Sequence, residues 1–164
     1  MTEGPKDPNE HIVATRRIDA PAHTIFTVLA DPARHRDTEP TDWVRDAIYP
    51  TPITATGQIF SMNMHFDGAN GDYRMDNTVT TFEPDHAIAW DPGQADESGH
   101  VAPGGWRWRY DLEEKDTGTE VKLTYDWSRT TQEIRDAFGG FPVVSPDYLD
   151  RSLQALEQAA FEHR

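Results

Sequence analysis

Gly105 to Leu112 reads G-W-R-W-R-Y-D-L, and Thr119 to Ser128 reads T-E-V-K-L-T-Y-D-W-S. Both stretches alternate strictly. Trp106, Trp108, Tyr110 and Leu112 fall on one side, with Arg107, Arg109 and Asp111 on the other. Val121, Leu123, Tyr125 and Trp127 share a face opposed by Lys122, Thr124 and Asp126. Successive side chains of a strand project to opposite faces, so each stretch is predicted to be a half-buried antiparallel strand. The polar segment Glu113 to Gly118 between them suits a hairpin loop. The apolar face is built from wide aromatics in place of Val and Ile, and rings of that size fill a core or wall a cavity.

Upstream of this hairpin the same alternation recurs. Phe60, Met62, Met64 and Phe66 alternate with Ser61, Asn63 and His65 after Gly57, and Tyr73, Met75, Asn77, Val79 and Thr81 share a face of the next strand. Asp67 to Asp72 is expected to turn between them. His86 to Asp91 is a short strand around Ile88 and Trp90, Trp43 to Tyr49 another, and His11 to Ala20 the first. Pro92 to Gly104 reads as a long polar loop, free to move. Helical spacing appears at Pro21 to Ala30, with Asp19 as a candidate cap. Asp31-Pro32 stops that helix and is expected to start a second short one, Ala33 to Asp37, with Asp31 as cap, and Thr130 to Phe138 reads as helical before Gly139-Gly140. From Pro146 to Phe161, Leu149, Leu153, Leu156 and Ala160 form one stripe of an amphipathic helix, with Ser145 as its cap.

Composition narrows the function classes. The chain has 164 residues and a formal net charge of −14, from 29 acidic and 15 basic residues. Phosphate backbones and anionic lipid repel such a chain, so nucleic acid and membrane are not expected as partners. No cysteine is present, which excludes disulfides, thiol nucleophiles and Cys-ligated zinc and fits a cytoplasmic setting. No apolar run approaches the roughly 20 residues that cross a bilayer. Residues 1–10 are expected to be a disordered lead-in and 11–164 a single domain.

One strand, short helices, a run of antiparallel strands and a terminal helix describe an α+β domain. A-T-R-R-I-D-A-P-A-H-T-I-F-T-V-L-A-D-P-A-R-H, from Ala14 to His35, resembles the opening strand and helix of the START-like superfamily. That superfamily, also called SRPBCC, includes polyketide cyclase/dehydrase-type and Bet v 1-like proteins. V-T-T-F-E-P-D-H-A-I-A-W, Val79 to Trp90, is similar to its paired middle strands, and S-L-Q-A-L-E-Q, Ser152 to Gln158, resembles its gripping helix. The resemblance implies a helix-grip fold: a curved antiparallel sheet of six or seven strands around the C-terminal helix, two short helices after the first strand, and a cavity between. It implies several functions: a carrier of a hydrophobic small molecule, a cyclase or dehydratase, or an Hsp90-activator-like interaction module. The fold alone does not choose among them.

The expected ligand wall is Met62, Met64, Tyr73, Met75, Asn77, Trp90, Trp106, Trp108, Tyr110 and Tyr125. The occupant would be a hydrophobic or aromatic, polyketide- or lipid-like molecule. Asn77 and the hydroxyls of Tyr73, Tyr110 and Tyr125 are the inward polar groups, which pair with one another or with a ligand. No Asp or Glu reads as inward, so no catalytic residue is named. The histidines at 11, 23, 35, 65, 86, 100 and 163 match no metal-ligating spacing and read as surface residues, with His35 able to approach the cavity mouth. No metal site, cofactor or phosphate loop is indicated. A monomer or homodimer is equally compatible.

Overall fold

The computed structural model describes residues 10–66 and 71–162. The lead-in expected over 1–10 lies, apart from Glu10, outside the described residues, as does most of the turn expected over 67–72. The described residues form eight strands: β1 His11–Ile18, β2 Val44–Ala47, β3 Ile59–Phe66, β4 Gly71–Glu83, β5 Ala87–Ala95, β6 Val101–Pro103, β7 Arg107–Lys115 and β8 Gly118–Asp126. The helices are α1 Ala22–Leu29, a 3₁₀ helix Pro32–Thr38, α2 Gln132–Ala137 and α3 Pro146–Glu162. The strands run β1-β8-β7-β5-β4-β3-β2 in one curved antiparallel sheet, and β6 pairs with β5 beside this path.

The aromatic hairpin forms as read, with a tighter turn. β7 and β8 pair from Arg107↔Asp126 to Lys115↔Gly118, so the strands extend through residues expected to be loop. Tyr110, Leu112, Val121, Leu123, Tyr125 and Trp127 are buried. Arg107 and Arg109 lie on the opposite face, in ion pairs with Asp91 and Asp111. Trp106 falls just before β7, and its ring packs against Phe138 and Phe141.

α3 buries the stripe its spacing predicts. Leu149, Leu153, Leu156 and Ala160 are each 0% exposed, as are Ile18, Ile25, Val28 and Leu29 from β1 and α1. The helix packs against β1, the 3₁₀ helix and α1. Each fully buried Leu or Ile contributes about 1.5–3 kcal/mol relative to exposure, which makes this layer the main apolar anchor of the fold. Ser145 Oγ accepts from the Tyr148 amide at 3.3 Å, capping α3. Asp31 Oδ1 accepts from the Ala33 amide at 3.1 Å and starts the 3₁₀ helix. Asp19 does not cap α1. Pro21 occupies that position, and the Ala22 amide is satisfied across the fold by the Glu114 carboxylate of β7, at 3.0 Å.

Two departures from simple alternation shape the inner wall. β4 carries a bulge: Val79 pairs with Trp90 but Thr81 pairs with Ala89, leaving Thr80 as the extra residue. A bulge turns the residues beyond it to the other face. Thr81 therefore leaves the inner face on which alternation placed it and meets Arg109 at 3.3 Å on the outside. Phe82 turns inward onto Phe26, with ring centroids 5.5 Å apart. The second departure lies in Pro92 to Gly104, where the mobile loop expected there is a paired arm. β5 continues to Ala95, and Gly93, Gln94 and Ala95 pair with Pro103, Ala102 and Val101. Gly93 is required at this crossing, because a Cβ there would lie 2.6 Å from the Ala102 carbonyl oxygen. The buried Asp76 carboxylate fixes the arm by accepting from the Ala95 amide at 3.1 Å.

Candidate functional site

The inner wall is built by register. β3 and β4 place Phe60 opposite Asn77, Met62 opposite Met75 and Met64 opposite Tyr73. Trp90, Trp108 and Tyr125 stand side by side across β5, β7 and β8. Cross-strand neighbours on one face approach within contact distance. Here they make a continuous ring surface: Trp108 stacks on Tyr125 at 4.4 Å and Trp90 tilts on Tyr110 at 5.9 Å.

This surface does not close on itself. It borders a cavity of about 1020 Å³ that is shared by the sheet, the 3₁₀ helix, α3 and the segment from α2 to Val143. Met62, Met64, Tyr73, Met75, Asn77, Trp90, Trp106, Trp108, Tyr110 and Tyr125 all line it. The arm formed by β5 and β6 contributes its rim, through Gln94, Asp96 and Ala102 among others. A paired arm thus stands where a freely moving loop was expected.

The inward polar groups do not pair with one another. Asn77 Nδ2 donates to the Phe60 carbonyl at 3.3 Å. Trp43 Nε1 donates to the Tyr73 hydroxyl at 2.5 Å, and the Val143 amide donates to the Tyr125 hydroxyl at 3.5 Å. Burial raises the Tyr73 phenol, opposed by the Trp43 hydrogen bond. Burial also pushes Tyr125 up to about 12, opposed by the Val143 amide. Tyr110 is raised further by burial and then by the negative charge of Glu39.

Glu39 corrects the expectation that no carboxylate faces inward. It follows the 3₁₀ helix, is 8% exposed and borders the cavity. Its Oε1 accepts from the Tyr148 hydroxyl at 3.0 Å, from the Thr41 amide at 3.2 Å and from the Thr41 hydroxyl. Its Oε2 is buried without a hydrogen-bond partner among the described residues. Tyr148 is raised well above the ordinary tyrosine value by burial, then by the charge of Glu39 and the bond to it. His35, read as a surface residue, is also inward, at 5% exposure. It stacks on Trp90 at 5.0 Å and meets Phe60 edge-on at 5.2 Å. Its Nε2 lies 2.7 Å from the Leu29 carbonyl oxygen. A carbonyl only accepts, so Nε2 bears the hydrogen and Nδ1 is bare in the neutral ring. Burial lowers the His35 pKa, against the opposing effects of the Leu29 carbonyl and Asp31.

Glu39, Trp43 and Tyr148 were missed, and His35 was brought no further than the cavity mouth, because their local sequence carries no facing signal. D-P-A-R-H-R-D-T-E-P-T-D-W is polar and lacks a period of 2 or 3.6, and Tyr148 lies outside the leucine stripe of α3. The capping Asp31 and the strand expected from Trp43 mark the ends of this region but not which of its side chains face inward. Among the described residues no group of three or more His, Asp or Glu is placed to hold a metal ion. No helix of the described residues is long and apolar enough to cross a membrane.

A curved sheet gripping a C-terminal helix over an aromatic-walled cavity defines the class as a helix-grip protein of the START-like superfamily. The family profile of Activator of Hsp90 ATPase homolog 1-like protein matches residues 19–158, so the chain belongs to that family. It is 32% identical over 111 residues to the uncharacterized protein Rv0088 of Mycobacterium tuberculosis, a match covering 67% of this chain and 44% of that protein. The chain thus spans less than half the length of this curated relative. Among solved structures, protein NE0264 from Nitrosomonas europaea superposes with a TM-score of 0.69 at 13% identity, covering 95% of this chain and 97% of the other. The Aha1 dimer from Colwellia psychrerythraea superposes with a TM-score of 0.57 at 20% identity, covering 92% of this chain and 95% of the other. At these identities the likeness concerns the fold.

Proposed function

We propose that this chain binds a hydrophobic or aromatic small molecule, polyketide- or lipid-like, in the cavity between the sheet and α3. The observation that carries the reading is the cavity itself: about 1020 Å³, walled by Trp90, Trp108, Tyr110 and methionines with few polar groups. Small-molecule sites are concave, largely apolar spaces of roughly 300–1,000 Å³ with a few placed polar groups. Methionines adapt such a wall to irregular shapes. Affinity would come from buried apolar area, about 25 cal/mol per Å² before ordering costs are subtracted. Titration of a panel of aromatic and polyketide-like compounds, read by tryptophan fluorescence, tests it, because Trp90, Trp106 and Trp108 all border the space. Saturable quenching below about 1 mM, an affinity beyond 4.1 kcal/mol, supports the reading. Absence of quenching and of any extractable small molecule from the purified protein would overturn it. Turnover of a bound compound on the same site would draw on Glu39 as its acid–base group, and product analysis of the quenching compounds distinguishes carrier from cyclase or dehydratase.

The second reading is an Hsp90-activator-like interaction module, favoured by membership of that family. It predicts stimulation of an Hsp90 ATPase by this chain, without any requirement for the cavity. The Colwellia relative is a dimer, so sedimentation of this chain decides between monomer and homodimer.

A further inference from the structure

The charges around the cavity are one-sided. Glu39 sits in the inner wall and Asp96 on the rim, while among the described residues no lysine or arginine lines the space. The arginines of β4 and β7 are committed to the opposite face of the sheet, Arg74 to Asp76, Arg107 to Asp91 and Arg109 to Asp111. The donors that meet Glu39 Oε1, from Tyr148 and Thr41, are all neutral, and Oε2 meets none among the described residues. A buried carboxylate without a counter-charge is costly, and a buried acceptor without a donor adds to that cost.

Tyr148, which bonds this carboxylate, belongs to a cluster of three rings. Trp43 and Tyr148 have centroids 5.8 Å apart, Trp108 and Tyr148 6.4 Å, and Trp43 and Trp108 6.5 Å. Tyr148 belongs both to this cluster and to the hydrogen bonds of Glu39. Aromatic faces attract organic cations, and a chain of net charge −14 draws cations toward its clefts and turns anions away.

We infer that the cavity selects molecules whose apolar body carries a protonated amine, with Glu39 receiving the ammonium group beside Trp43, Trp108 and Tyr148. The inference rests on the small-molecule reading and narrows its substrate class. A hydroxyl group would give Oε2 a hydrogen bond but leave the carboxylate's charge unanswered. An ammonium supplies both, as a charge-assisted hydrogen bond. A carboxylate or phosphate head beside Glu39 would meet like charge.

Calorimetric titration with three molecules that share one apolar body tests this: 2-(1-naphthyl)ethylamine, 2-(1-naphthyl)ethanol and 1-naphthylacetate. The amine should bind at least about tenfold more tightly than the alcohol, equivalent to about 1.4 kcal/mol, and the acetate least. The preference should persist in about 1 M NaCl, where the Debye length falls to about 3 Å and diffuse attraction is screened. Glu39→Gln should remove the amine's advantage over the alcohol. Equal binding of amine and alcohol to the native protein overturns the inference while sparing the small-molecule reading. So does a preference lost in salt or retained in Glu39→Gln. Failure of all three compounds to bind counts against both. The comparison on the native protein decides the matter even where Glu39→Gln does not fold.

Discussion

Trp108 on β7 and Tyr125 on β8 stand directly opposite each other in the strand register, and their rings stack with planes 17° apart. Tyr125 is buried, while Trp108 keeps part of its surface open to the cavity. Trp108→Ala therefore removes a stacked ring from a site that is only partly packed. The expected loss is about 1–3 kcal/mol, short of the about 3–5 kcal/mol for a fully enclosed ring. The urea midpoint measures it. A loss at the upper end of that scale would show that the ring fills core in place of walling a cavity.

The leucine stripe of α3 should behave as closed core. Leu153 is 0% exposed, and Leu153→Ala should cost about 2–5 kcal/mol. Removing the chain from Pro146 onward leaves Ile18, Ile25 and Leu29 open to water, and the product should aggregate or bind a hydrophobic dye without a cooperative melt. A monomeric, cooperatively melting truncation would refute the gripping role of the helix.

Asp76 should make the protein acid-sensitive. Its burial opposes ionisation, but hydrogen bonds from Ser61 at 2.6 Å, Arg74 at 2.9 Å and the Ala95 amide outweigh that and hold its carboxyl below the usual carboxylate range. A depressed folded value contributes stability that is complete above the unfolded value of 3.8 and is lost as pH falls through the folded value. Asp76→Asn should cost about 1–3 kcal/mol at neutral pH and flatten the loss of stability below about pH 4. A parallel acid profile for native protein and variant would exclude this role.

Alkali should act through the tyrosines. Tyr73, Tyr110, Tyr125 and Tyr148 are all raised, each first by burial. Raised folded values contribute stability that is complete below the unfolded value, about 10, and is lost as pH rises through the folded values. Phenolate absorbance of the native protein just above that pH should fall well short of the absorbance in denaturant, then rise together with unfolding. Full ionisation of all five tyrosines in the folded state would contradict the enclosure of this wall.

Local periodicity carried much of the architecture. The alternation of Trp108, Tyr110 and Leu112 against Arg107, Arg109 and Asp111 marked a strand and its faces, because backbone pleating alone sets which way neighbours point. The spacing of Leu149, Leu153 and Leu156, with Ser145 ahead of it, marked α3 for the same reason. These signals lie within one turn or one strand, and no distant residue is needed to read them. Other features depend on segments far apart in the chain. Thr80 is an extra residue only relative to β5, so the reversal that sends Thr81 out and Phe82 in is absent from the alternation of β4. Pro92 to Gly104 is polar like a loop, and its pairing depends on β5 meeting β6. Whether the aromatic wall fills or encloses is a matter of summed volumes from the sheet, the 3₁₀ helix and α3. Glu39 shows the limit most clearly. A carboxylate after a short polar helix reads as solvated, and its burial is created by Tyr148, 109 residues further along the chain. Facing is a local property of the backbone, whereas enclosure exists only once distant segments have come together.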